Sequence, residues 1–68
     1  TPDVHEAGAA AQAHAAVLRR MLERLASVPP SDAEQQEVVS VEACRASTEA
    51  YRRVEEFWTL LRAAVVPE

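Results

Sequence analysis

Pro29 and Pro30 stand side by side near the middle of a 68-residue chain, and no other proline occurs between residues 3 and 66. Neither ring can continue a helix, and each pushes the residue before it out of the helical region. Whatever regular structure forms must therefore stop before this pair and restart after it. On either side the chain holds almost nothing that would interrupt a helix: Gly8 is the only glycine, and 32–66 contains neither glycine nor proline. The sequence predicts two long helices, over about residues 2–28 and 32–66, joined by a turn at 29–31. Helices joined by so short a connection lie side by side and antiparallel.

The predicted helix ends carry their own signals. Ser31 precedes Glu34 by three residues, the spacing at which a capping hydroxyl and a carboxylate satisfy each other's backbone N–H groups. Asp32 and Glu34 suit the positive end of the helix dipole. Thr1 followed by Pro2 reads as a second cap with proline at the first helical position.

Periodicity supports this division. In the first helix Val4, Ala7, Ala11, His14, Leu18, Met21, Leu25 and Val28 recur at three and four, and Ala15 and Leu22 widen the stripe. In the second, Val39, Ala43, Ala46, Ala50, Val54, Phe57, Leu61 and Ala64 do the same. A further stripe beside them holds Cys44, Ser47, Tyr51, Trp58 and Val65. Each helix thus shows an apolar arc of roughly 160°, wider than the ~100° stripe of an ordinary surface helix, and a single neighbour cannot cover it. The fold class expected is all-α: an antiparallel two-helix hairpin that dimerises into a four-helix bundle.

Size argues the same way. A chain this short buries only about 60% of the surface its unfolded form exposes, so it needs a supplement to its core. One cysteine, Cys44, excludes an internal disulfide and agrees with a reducing, cytoplasmic setting. The start at Thr1 without methionine leads us to expect a segment of a longer protein. No basic and apolar leader opens the sequence, and no uncharged run of about 18 apolar residues occurs, so neither a signal peptide nor a membrane span is expected.

The net charge is −4, with three acids against three arginines in residues 1–28 and eight acids against four arginines in 31–68. Nucleic-acid binding normally needs a basic stripe, which is missing, so no nucleic-acid partner is expected. Glu55 and Glu56 are adjacent and point about 100° apart on a helix, so they do not converge for acid–base work. There is no phosphate-binding glycine loop, no CxxC and no HxxxH. Neither an enzymatic activity nor a cofactor is expected.

Two readings of the remaining residues compete. If facing positions in the hairpin have numbers adding to about 59, His14 meets Cys44 and Arg45, and a small metal or redox site on His14 and Cys44 becomes thinkable. The plainer expectation is a histidine at a helix interface, hydrogen-bonded to Ser47 or Thr48. The same rule sets Tyr51 opposite Gly8 and Trp58 opposite Thr1, where helix 1 offers little cover. Tyrosine and tryptophan are enriched in interface hot spots. The function expected is a non-enzymatic protein–protein interaction module, a self-association or docking domain of a larger protein. Its interface would hold Tyr51, Val54, Phe57, Trp58, Leu61 and Val65, with Ala11, Ala15 and Leu18 as the complementary surface. The expected partner is a second copy; the alternative is an amphipathic helix of another protein received in the groove.

Overall fold

The turn is where the structure begins to differ from the simplest hairpin. A computed structural model describes residues 3–65, with α1 over Val4–Ser27 and α2 over Ala33–Val65. Val28 takes an extended conformation (φ −75°, ψ 127°), as the residue before a proline must, and its N–H donates to the Leu25 carbonyl at 3.2 Å. A β-turn follows, closed by the Asp32 N–H donating to the Pro29 carbonyl at 3.0 Å. Pro30 sits at its second position, where a fixed φ is an advantage.

Because Ser31 lies inside that turn, it does not cap α2. The cap is Asp32: its side chain accepts from the Gln35 N–H at 3.1 Å, and its carbonyl accepts the Gln36 N–H at 3.0 Å. The Gln36 side chain donates back to the Pro29 carbonyl at 3.5 Å, tying the first turn of α2 to the loop. At the other end the cap of α1 is Asp3, extended at ψ 175° and accepting from the Glu6 N–H at 2.7 Å. The expected Thr1 and Pro2 start lies outside the described residues.

The two helices pack along their length, all-helical and without strands among the described residues. Their register is offset from the loop-centred rule. Gly8 lies against the ring of Phe57 and Arg24 pairs with Glu42, so facing residues have numbers adding to 65 or 66 rather than 59. The cause is the loop. Extended residues advance about 3.1 Å each against 1.5 Å in a helix. Val28, extended, carries the chain beyond the end of α1 before the Pro29–Asp32 turn reverses it, so α2 starts above the last turn of α1. The observed offset of six to seven positions corresponds to about 9–10 Å along the axis.

α2 consequently runs past α1 at both ends. At its far end Leu61 is level with Val4, and Ala64 and Val65 are exposed. The shape is a rod of 56 × 17 × 15 Å. Its radius of gyration is 15.7 Å, against about 11 Å for a globular chain of this length.

The buried core is thin. Only Ala7 and Ala11 in α1 and Val39, Ala43 and Ala50 in α2 are buried, and Val39 is the bulkiest of them. Small side chains let the helix backbones approach closely, yet they remove little apolar area from water. Met21, Leu25, Phe57 and Leu61 are half-buried around this seam. Val54 and Ala64, expected to face inward, are exposed. The inward face of α2 is rotated away from Val54, toward the half-buried Arg53 and Leu60.

Candidate interaction surface

The rotation gives the hairpin two unlike flanks. One is held by charge. Arg24 donates to Glu42 across the two helices at 3.2 Å, and Arg53 donates to Glu49 within α2 at 3.0 Å. Arg52 also reaches Glu49, at 2.9 Å. Chiefly through its hydrogen bond to Arg52, and also through Arg53, Glu49 is held below its ordinary value of 4.5; Arg52 is raised in turn by its bond to Glu49.

The opposite flank is apolar, and among the described residues no ion pair crosses it. At the turn end, Leu18, Leu22 and Leu25 of α1 form a ridge beside a trough of Ser40, Cys44 and Ser47, with Ala43 at its floor. At the open end the relief is reversed. Tyr51, Val54 and Trp58 project from α2 beside Gly8, Ala11 and Ala15 of α1, at the same levels along the rod. The exposures are 51% for Leu22, 66% for Tyr51, 49% for Val54, 56% for Trp58 and 66% for Val65. Isolated exposed apolar residues are ordinary on a surface, but a contiguous row of them along one side is not. Val38 and Val41, also exposed, instead border a shallow hollow ringed by Glu34, Glu37, Glu42 and Arg45.

The proposed interface residues divide accordingly. Tyr51, Val54, Trp58, Val65 and Ala15 are exposed. Leu18 and Leu61 are half-buried between seam and flank, and Ala11 is buried. Phe57 belongs to the seam, half-buried, its ring on Gly8. Leu22 and Cys44 lie on this flank and were not assigned to the interface from sequence. Their signal was the heptad step: Leu22 follows Ala15 by seven, and Cys44 precedes Tyr51 by seven.

The register also separates His14 from Cys44. His14 is level with Tyr51, and Cys44 with Leu22, about two helical turns apart or roughly 11 Å along the axis. Tyr51 is thus opposite His14 and not Gly8, and Trp58 opposite Gly8 and not Thr1. Among the described residues no hydrogen bond joins His14 to Ser47 or Thr48; the Thr48 hydroxyl donates to the Cys44 carbonyl at 3.1 Å. Nor does any group of three histidine, cysteine, aspartate or glutamate residues there converge on a common point. Among the described residues no helix is long and apolar enough to cross a membrane. Comparison of the chain with protein-family models, with curated proteins and with solved structures finds no match.

Proposed function

We propose that this hairpin is a non-enzymatic protein–protein interaction module that works by self-association through its apolar flank, two copies completing a four-helix bundle. One contrast carries the reading. Among the described residues, every fully buried one is alanine or valine, while Leu22, Tyr51, Trp58 and Val65 remain more than half exposed on one side. Burying about 100 Å² of such apolar surface is worth roughly 2.5 kcal/mol, so the stability missing from the seam is available on the flank.

Area supports a partner of the chain's own size. The chain exposes 5293 Å², about 1,100 Å² more than the roughly 4,200 Å² expected of a globular monomer of 7.4 kDa. An ordinary interface buries about 800 Å² per partner. The mechanism is removal of apolar area from water, with the charged flank facing solvent and the acidic surface of α2 biasing which molecules approach.

Sedimentation equilibrium at micromolar concentration tests this: a dimer mass is expected, lowered to the monomer mass by Tyr51→Ser with Trp58→Ser. Both side chains are exposed in the hairpin itself, so the pair of changes spares its seam. A monomer mass for the unaltered chain would refute self-association. A second reading follows from the leucine-lined trough beside Cys44, which offers an apolar surface to an amphipathic helix of another protein. In that case the hairpin stays monomeric and its melting temperature rises only when such a helix is added.

A further inference from the structure

The apolar flank is matched in size to itself, and this selects one of the two ways in which a second copy can cover it. Gly8, Ala15 and Leu22 are spaced by sevens along α1, and Cys44, Tyr51 and Trp58 are spaced by sevens along α2. With the observed register, Gly8 is level with Trp58, Ala15 with Tyr51 and Leu22 with Cys44. At every level one helix therefore presents a large side chain and the other a small one. Both two-fold arrangements keep the flanks in contact, since the axis can run along the rod or across it.

With the axis along the rod, the turns share one end and α1 of each chain lies over α2 of the other at unchanged level. Trp58 then rests on the surface formed by Gly8 and the Phe57 ring of the other chain, Tyr51 on Ala15, and Leu22 in the trough beside Cys44. With the axis across the rod, helices cover their own copies. At full overlap the middle of the interface then sets Ala15 near Ala15 and Tyr51 near Tyr51. Two alanines draw backbones together where two tyrosines hold them apart, and a rigid hairpin cannot satisfy both.

Resting on the self-association proposed above, the geometry points to the first arrangement: a parallel pair of hairpins in which α1 of each chain seats on the large side chains of α2 of its partner. Either arrangement covers the same flank, so the choice is made by the size pattern alone. Both arrangements give every helix antiparallel neighbours, so the helix dipoles do not distinguish them.

Crosslinking distinguishes the outcomes. Ala15→Cys and Tyr51→Cys are each made in a Cys44→Ser background, and each folded variant is oxidised with oxidised glutathione alone and after mixing. The parallel bundle yields a covalent dimer from the mixture, containing one chain of each variant, and none from either variant alone. Self-crosslinking of either variant would overturn the arrangement in favour of the crosswise axis, as would a dimer mass with no crosslink in any sample. A monomer mass for the unaltered chain would refute self-association itself. On the unaltered sequence, isotope-filtered NMR of mixed-label dimers reads the same contact: the parallel bundle gives an interchain signal between the Ala15 methyl and the Tyr51 ring, and a Tyr51–Tyr51 signal in its place rejects it.

Discussion

The Arg24 guanidinium lies 3.2 Å from the Glu42 carboxylate, the one ion pair among the described residues that bridges α1 and α2. Both side chains are about half exposed, 52% and 41%, so the pair marks the register more than it secures it. Arg24→Ala or Glu42→Ala should lower stability by no more than about 1 kcal/mol. Combining Arg24→Ala with Glu42→Ala should cost no more than either change alone. Denaturant melts of the four proteins form the cycle that checks it.

A Cβ added at Gly8 would meet Phe57 Cε1 at 3.2 Å and Cδ1 at 3.5 Å. An alanine there gains roughly 0.5–1 kcal/mol of helix stability over glycine, and the half-exposed ring of Phe57 has room to shift by a few tenths of an ångström. Gly8→Ala should therefore melt at or slightly above the parent temperature. Gly8→Val brings two further methyls against the ring, with an overpacking cost of about 1–3 kcal/mol. For a chain this size that is a fall of at least about 4 °C, read by circular dichroism at fixed protein concentration.

Asp32, and not Ser31, holds the N-cap of α2. Asp32→Ala should cost about 1 kcal/mol, whereas Ser31→Ala should leave the melting temperature within error. A reversal of that order would show that α2 starts one residue earlier, at the capping box expected from the spacing of Ser31 and Glu34.

Arg52 and Arg53 hold Glu49 below its ordinary value of 4.5. A carboxylate with a depressed folded-state value adds stability above its unfolded value and loses it as pH falls through the folded one. The difference in melting temperature between the parent and Glu49→Gln should be present near neutral pH and shrink between about pH 5 and about pH 3. A difference that stays constant over that range would exclude the ion pair as its cause.

The break at Pro29 and Pro30, the extended Val28 and the two helices were legible in the sequence because each follows from a rule about neighbouring residues. What was not legible depends on distances between residues far apart. Counting outward from the loop assumes that the loop adds no height, and the path through Val28 and the Pro29–Asp32 turn adds six to seven helical positions, about 9–10 Å. That displacement separated His14 from Cys44 and moved Tyr51 from Gly8 to the level of His14. Ser31 was misplaced for a related reason: its hydroxyl has the right chemistry for a cap, but the Pro29–Asp32 turn encloses it. Periodicity and hydropathy set Val54 in the inward stripe, but it is 49% exposed, while the half-buried Arg53, which donates to Glu49, lies at the seam's edge.

The climb through the Val28–Asp32 loop makes it a gauge for the whole rod. Loss of one extended residue would lower α2 by about 3 Å, roughly half a helical turn. Val39 and Ala43 would still face α1, but every level of the seam would be displaced by that half turn against its partner. Exposed loops are usually the most forgiving part of a fold. Here a few loop residues, exposed but for the half-buried Val28, set the register of every contact below them, and a change in their number should be tolerated less well than most changes in the seam itself.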